Sequence, residues 1–343
     1  MRIAIVGATG AVGTIMRRLV AERMPGNDVV AFASERSAGR TLDDGLVVQP
    51  LTDDTVTGFD LALFSAGASR SREWAAKFVD GGALVVDNSS AFRMDPDVPL
   101  VVSEVNPDAV DETRKGIIAN PNCTTMVVML PAKALHDRFG MTAMVATSFQ
   151  AAGGAGQSGI DELAAQVGPV GADVSQLIND GAAAARKVEH EVHANTLAFN
   201  VVPLLGTLND EGYTDEEMKL QNESRKILDI PQLEVTPTCV RVPVMVGHSI
   251  AVRATFAQEP DLEQALDALN AFPNLVVDQA PTPLEWAGRH ETVVGRVRRD
   301  LADPHVLNFF VVGDNLLKGA ALNTVQLAEL LVARGRVAAA ARA

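Results

Sequence analysis

The sequence predicts an α/β protein of two domains. The first is a Rossmann-type, doubly wound parallel sheet and the second an α+β domain. Three observations point there. An apolar run, Arg2–Val6, opens the chain and leads straight into a glycine-rich turn and an amphipathic stretch. Further short apolar runs then alternate with helical patterns and with small polar loops. At 343 residues, the chain is longer than one hydrophobic core usually serves.

The turn after Val6 reads Gly7-Ala8-Thr9-Gly10-Ala11-Val12-Gly13, with glycines spaced G-x-x-G-x-x-G. Ile15, Met16, Leu19 and Val20 follow at helical spacing. A strand, a tight glycine turn and a helix start let backbone N–H groups approach a pyrophosphate. Gly7, Thr9, Gly10, Ala11 and Val12 are therefore candidate dinucleotide contacts. The second strand, Asp28–Ala33, is followed by Ser34-Glu35-Arg36-Ser37-Ala38-Gly39-Arg40. An acidic residue here would bind a ribose 2′-OH, whereas the Arg36 guanidinium and hydroxyls such as Ser37 suit a 2′-phosphate. The expected cofactor is NADP(H).

A third strand, Leu61–Ser65, ends in Ser65-Ala66-Gly67-Ala68-Ser69 and a helix over residues 70–79. Ala83–Val86 leads into Asp87-Asn88-Ser89-Ser90. Small polar strand ends are expected where a sheet's carboxyl edge faces a cofactor, which adds Ser65 and Gly67. Arg93 sits in a turn soon after and is either an anion ligand or a partner for Asp95 or Asp97.

The stretch Gly116–Met129, GIIANPNCTTMVVM, carries Cys123, one of two cysteines in the chain. Asn120-Pro121-Asn122 is a turn cluster, and the apolar run after Thr125 continues as a helix. A cysteine at a helix N-terminus is favoured as a thiolate by the unpaired N–H groups there. The same residue could equally be a small buried hydrophobe. These residues alone leave both readings open.

In the second half, Pro131 should kink the helix that begins near Cys123. Met144–Phe149 reads as a strand ending at Gln150, and Gly153, Gly154 and Gly156 permit close backbone approach. Ile160–Val167 is helical, and residues 171–196 have no clear pattern. His190 and His193 lack a third ligand and read as part of a solvated segment, so no metal is expected. Leu197–Val202 reads as a strand. Thr214 and Glu217 have capping-box spacing, while Glu216 and Lys219 share a helix face, as a surface pair or as ligands.

Arg241 lies in an apolar run, Cys239–Pro243, and so needs an anionic partner. His248, in Gly247-His248-Ser249, suits acid–base work near neutral pH. Cys239 has no turn or helix start beside it and is expected to be buried and inert. Ile250–Phe256 and Leu307–Val312 read as strands, Leu262–Leu269 and Ala320–Ala333 as helices. Arg296, Arg298 and Arg299 form a charge run, structural or at a subunit contact. The Ala/Arg-rich tail, Val337–Ala343, is expected to fray.

Charge narrows the partners. With 29 Lys and Arg against 43 Asp and Glu, net charge is −14, which argues against nucleic acid. Two cysteines make no disulfide framework and suit a reducing cytoplasm. The N-terminus lacks the apolar core of a signal peptide, and no run approaches the roughly 18 apolar residues of a membrane span. No membrane association is expected.

Several segments, in order, resemble aspartate-β-semialdehyde dehydrogenases. They are GATGAVG (7–13), FASERSAGR (32–40), DNSSAFRMDPDVPLVVSEVN (87–106), GIIANPNCTTM (116–126), SFQAAGGAG (148–156), AFNVVPLLG (198–206), TCVRVPVMVGHS (238–249), VGRVRRD (294–300) and GDNLLKGAALNTVQLAE (313–329). The resemblance implies an architecture like that of glyceraldehyde-3-phosphate dehydrogenase. Residues 1–122 and 322–343 would form the NADP-binding domain, and 123–321 a catalytic and dimerisation domain of a homodimer. It implies reductive dephosphorylation of L-4-aspartyl phosphate by NADPH to L-aspartate 4-semialdehyde, a step toward lysine and diaminopimelate, threonine and methionine.

In that reading Cys123 is the nucleophile that carries a thioester, Gln150 orients the acyl group and His248 moves the proton. Arg241, Glu216 and Asn122 would bind the amino-acid substrate, and Arg93 and Lys219 phosphate. Gly153, Gly154 and Asn315 would lie on the nicotinamide side. Two departures stand out: Gly153 where the family more often has serine, and Leu317 where arginine is usual. One rival is another acyl-phosphate reductase, such as N-acetylglutamyl-phosphate reductase, whose acetylated amine would not need Glu216. The other is a non-catalytic dinucleotide-binding paralogue, which would have lost the Cys, Gln, Arg or His.

Overall fold

The computed structural model describes residues 1–337. Residues 338–343, most of the tail expected to fray, lie outside them. The chain divides into two compact units. One comprises Met1–Asn122, Lys226–Ile230 and the chain from Leu317 onward; the other comprises Cys123–Arg225 and Pro231–Leu316.

The first unit begins with β1 (Arg2–Val6), α1 (Ala11–Arg23) and β2 (Asp28–Phe32). It continues through β3 (Leu61–Phe64), α2 (Ala68–Asp80), β4 (Leu84–Asp87) and β5 (Ile117–Ala119). The five strands form one parallel sheet in the order β2-β1-β3-β4-β5. The order reverses at β1, so the carboxyl ends of β1 and β3 flank the switch point where such sheets bind ligands. Strand alternation divides the core. Ile3, Ile5, Leu61 and Leu63 join Met16, Leu19 and Val20 of α1 in one apolar cluster. On α2, Phe78 packs edge-on against Phe32 and Phe64.

The second unit starts at α3 (Cys123–Phe139), which contains Pro131, and β6 (Met141–Gln150). Then come α4 (Gln157–Gly171), α5 (Val174–Asn179), α6 (Gly181–Ala185), α7 (Asp215–Leu228), whose last turn falls in the first unit, and β7 (Glu234–Arg241). The rest is β8 (His248–Phe256), α8 (Leu262–Ala271), β9 (Leu275–Val277), α9 (Pro283–Trp286), β10 (Thr292–Arg299) and β11 (Val306–Gly313). These strands build a mixed sheet, β7-β6-β8-β11-β10-β9. β8 alternates buried Ile250, Val252, Ala254 and Phe256 with half-buried Ala251, Arg253 and Thr255, the pattern of a sheet with one face packed.

After β11 the chain passes through a π-helix, Leu317–Leu322, into α10 (Asn323–Ala333). Leu317, Leu322, Val325, Ala328 and Leu331 join the core of the first unit beside α1. Among the described residues, no helix is long and apolar enough to cross a membrane.

Two expectations need correcting. Leu197–Val202 is not a strand; only Val202 makes a bridge, to Arg241. The N–H groups of Leu197 and Ala198 donate instead to the Gln166 side chain, and Phe199 takes a positive φ of 58°. Nor is His193 solvated. It is buried, with its ring 3.2 Å from the Gly159 carbonyl. The Glu162 carboxylate collects the N–H groups of Glu191, Val192 and His193 and folds that segment inward.

Candidate active site

The second sheet brings the predicted catalytic residues together by strand direction. β6 and β7 run parallel, with Gln150 opposite Arg241 at their carboxyl ends. β8 runs the other way, so its first residue, His248, lies at that same end, and so does Gly313 at the end of β11. Cys123 is the first residue of α3. Its Sγ lies 3.2 Å from His248 Nε2. The other ring nitrogen, Nδ1, accepts the Ala151 N–H at 3.0 Å. The Ala151 carbonyl accepts from Arg241 Nη1 at 2.8 Å. One backbone residue thus fixes both the imidazole and the guanidinium. Burial, reinforced by the Arg241 charge, drives the His248 pKa well below its ordinary value. Burial also lowers that of Arg241.

Gln150 is buried and its Nε2 donates to Ser148 Oγ and Glu216 Oε1, both at 3.3 Å. Glu216 Oε2 accepts from Lys219 Nζ at 3.1 Å, and Asp215 holds the same ammonium at 2.7 Å. Burial opposes the Lys219 charge, but these two carboxylates outweigh it and raise its pKa. Glu217 faces elsewhere. It exchanges hydrogen bonds with Thr214 in a capping box and accepts the Cys239 N–H. Of the two adjacent glutamates, Glu216 is the one grouped with Gln150 and Lys219.

The glycines of the next turn let the site's side chains pack closely against the backbone. A Cβ at Gly154 would fall 2.5 Å from Arg241 Nη1 and 3.1 Å from the His248 ring. A Cβ at Gly153 would approach Asn315 Nδ2 at 3.5 Å. Asn315 Oδ1 accepts the Gly247 N–H, while its buried Nδ2 has no partner among the described residues. A buried amide donor left over in this way is suited to a ligand carbonyl.

The first unit, taken by itself, has the close-packed glycine turn expected of a dinucleotide site. Gly7 has φ +91°, and a Cβ there would strike the Ser65 carbonyl at 2.2 Å. A Cβ on Gly13 would lie 2.1 Å from the Gly7 carbonyl. Among the described residues, no side chain caps α1 at Gly10 or α2 at Gly67, which leaves their first N–H groups to an anion or water. Thr9, Ala11 and Val12 belong to this turn and helix start, and Arg36 and Ser37 to a short helical turn after β2. These residues fit a dinucleotide with a 2′-phosphate.

Arg93 is buried and donates to the carbonyls of Asn120 and Asn88, each at 2.9 Å. Asp95 and Asp97 pair with Lys115 instead. Asn122 is buried at the last position of the first unit, next in the chain to Cys123. Cys239 is buried too, and that burial pushes its thiol up to about 12. Among the described residues, no group of three His, Cys, Asp or Glu could hold a metal ion.

The chain is similar to known proteins over nearly its whole length. The NAD-binding domain of semialdehyde dehydrogenases matches residues 2–113, and their dimerisation domain matches 132–318. An aspartate-semialdehyde dehydrogenase of Streptomyces akiyoshiensis is 50% identical over 336 residues, covering 97% of this chain and 99% of that one. The chain belongs to the aspartate-semialdehyde dehydrogenase family. The structure of aspartate semialdehyde dehydrogenase II from Vibrio cholerae, complexed with ASA, superposes with a TM-score of 0.88 at 40% identity, covering 97% and 98% of the two chains. The enzyme from Candida albicans, solved with NADP, has a TM-score of 0.73 at 25% identity over 98% and 99%.

Within this member of the aspartate-semialdehyde dehydrogenase family, sequence reasoning missed a set of buried polar groups inside the first unit. Asn323, from α10, donates to Val101 O and Asn120 Oδ1, and accepts from the Ser103 N–H. Asn120 Nδ2 in turn meets Asn88 Oδ1, so both residues whose carbonyls seat Arg93 are tied together. Lys318, fully buried, pairs with Glu104 at 2.6 Å. Lys226 Nζ donates at 2.8 Å to the carbonyls of Arg93, Asp95 and Val98. Each reads locally as an ordinary helix residue, so only tertiary contacts reveal it. Leu317, where the family's arginine is usual, is part of the apolar core.

Proposed function

We infer that the chain is an NADP-dependent aspartate-semialdehyde dehydrogenase, forming L-aspartate 4-semialdehyde from L-4-aspartyl phosphate. The observation that supports this most is the Cys123–His248 contact at 3.2 Å with Arg241 and Gln150 beside it. A thiolate at the start of α3 attacks the acyl carbon; the C–S bond forms, the bond to phosphate breaks, and a thioester remains. Splitting one reduction into acyl transfer and then reduction lowers each barrier. Bound NADPH would supply the hydride at the thioester carbon. Gly7 to Val12 and Gly67 would hold its pyrophosphate, Arg36 and Ser37 its 2′-phosphate, and Ser65, Gly153 and Asn315 its nicotinamide end.

Arg241, whose Nη1 rests on Ala151, presents the rest of its fork to the substrate α-carboxylate. Glu216 takes the α-ammonium, and Gln150 steadies both Glu216 and the acyl group. The missing Cβ at Gly154 lets Arg241 and His248 seat themselves against that turn. Lys219 and Arg93 receive phosphate, and Asn122 the substrate. These roles follow the family resemblance; the carboxylate at Glu216 favours a free amine over an acetylated one. We further propose a cytoplasmic homodimer, joined through the sheet face that carries Val145, Arg253 and Phe310, since the matched region is a dimerisation domain.

The test is NADPH formation from NADP, phosphate and aspartate semialdehyde. Turnover that requires all three, is slower with NAD and is absent with N-acetylglutamate semialdehyde supports the reading. Phosphate-independent turnover, or preference for the acetylated aldehyde, overturns it.

A further inference from the structure

We propose that Arg17 is a positioning residue of the cofactor site, tying the tip of a hairpin over residues 39–48 to the glycine turn and so setting where Arg36 and Ser37 stand. The inference rests on the reading of those two residues as the 2′-phosphate contacts.

Arg17 lies in the second turn of α1 and is only 6% exposed, a degree of burial that an arginine reaches only when its charge is met. Three bonds meet it. Nε donates to the Ala8 carbonyl at 3.1 Å, Nη2 to Asp43 Oδ1 at 2.9 Å, and Nη1 to Asp44 Oδ2. The Ala8 N–H in turn donates to Phe32 O at 3.0 Å, beside that of Gly7 at 2.8 Å. Ala8 is therefore held from both sides, by the end of β2 and by Arg17. A planar guanidinium fixes direction as well as distance.

At its other end the fork grips the hairpin tip. Thr41 and Val47 pair across the hairpin, the Leu42 N–H donates to Leu46 O at 2.8 Å, and Asp44 Oδ1 accepts the Leu46 N–H at 3.2 Å. The hairpin begins where the turn carrying Arg36 and Ser37 ends. There the Arg40 N–H donates to Ser37 O at 3.2 Å and the Gly39 N–H to Val48 O at 2.9 Å. The returning arm rejoins β2, with the Gln49 N–H on Ala31 O at 2.7 Å. Leu42 and Val48 sink into the core of the first unit. That packing holds the hairpin down but is non-directional. Arg17 supplies the direction. Arg36 itself is exposed, so its position depends on the backbone frame beneath it.

A positioning role and a plain charge effect predict opposite signs. Asp43 and Asp44 are acidic, so by charge alone their removal would favour an anionic ligand nearby. If they act by holding the hairpin on Arg17, their removal weakens the grip on a 2′-phosphate. A purely structural ion pair would move the affinities for NADP and NAD together, because NAD lacks only that phosphate.

Isothermal titration calorimetry of the full-length protein with NADP and with NAD decides between these. In Asp43→Ala/Asp44→Ala the Kd for NADP is expected to rise about 3- to 10-fold, the cost of ordering a loosened arginine side chain on binding, with that for NAD unchanged. Should the double variant fail to fold, Arg17→Lys takes its place. It keeps the charge but cannot span a carbonyl and two carboxylates, and again a larger rise for NADP than for NAD is expected. An unchanged or lower Kd for NADP, or an equal rise for both cofactors, overturns the proposal. Arg36→Ala, titrated alongside, tests the underlying reading. If it leaves the preference for NADP intact, Arg36 is no 2′-phosphate contact, whereas the aspartate variant still reports whether the hairpin tie matters.

Discussion

Gln150 Nε2 and Glu216 Oε1 meet at 3.3 Å, one at the end of a sheet strand and the other in the first turn of α7. The contact turns Glu216 from a helix-surface residue into a neighbour of Arg241, which pairs with Gln150 across the strands. If Glu216 reads the substrate ammonium, Glu216→Gln should raise the KM for aspartate semialdehyde about 10- to 100-fold, the range for a hydrogen bond to a charged group. Its kcat should fall less. Lys219→Ala should instead raise the KM for phosphate. Steady-state kinetics with each substrate varied in turn checks both.

Glu217 has a different task. Its carboxylate closes the capping box with Thr214 and holds the Cys239 N–H. Glu217→Ala should therefore cost about 1–3 kcal/mol of stability, from a lost cap and a buried N–H left unmet. Urea unfolding midpoints measure it, and a wild-type midpoint would contradict the assignment.

Gly154→Ala should place a methyl group where Arg241 and the His248 ring now lie. Displacing the guanidinium by even an ångström is expected to lower kcat/KM by about 10²-fold. The backbone there has no positive φ, so the thermal midpoint should change little. A variant with native kcat/KM would show that the close seating of Arg241 against Gly154 is not needed.

The two cysteines should differ in reactivity. Cys239, held at about 12 by burial, should resist iodoacetamide at pH 8 in the native protein, while Cys123 reacts. The sign of the stability effect follows. The folded thiol stays protonated above the pH where the unfolded one ionises, about 8.5. Native stability is thus lost progressively as pH rises from there toward 12. Cys239→Ala should weaken that alkaline dependence, measured as thermal midpoints at pH 7.5 and 10. Mass spectrometry of peptides from native and urea-unfolded protein, alkylated in parallel, locates the labels.

Much of this was legible in sequence because it is written in local patterns. The strand–glycine–helix start gave the first sheet, and the Thr214–Glu217 spacing gave the start of α7. Local setting singles out Cys123, Arg241 and His248, while the family resemblance adds Gln150 and assigns all four their roles. What was not legible depends on contacts distant in the chain. The apolar look of Leu197–Val202 suggested a strand, yet Gln166, some thirty residues earlier, captures its N–H groups. His193 looked polar and solvated until Glu162 drew its backbone inward. Asn323 and Lys318 gave no local signal, since their partners Asn120 and Glu104 lie some two hundred residues away. The Ala151 N–H could not be read at all, because a backbone donor leaves no mark in the residue type.

The central claim is that Cys123 carries the acyl group. The most direct measurement is peptide mass spectrometry after acid quenching of enzyme mixed with aspartate semialdehyde and NADP in phosphate-free buffer. The account expects one aspartyl group, sensitive to hydroxylamine, on the peptide containing Cys123, and its release when phosphate is added. No adduct in the wild type under conditions that yield NADPH, or an adduct on another residue in Cys123→Ser, would contradict it.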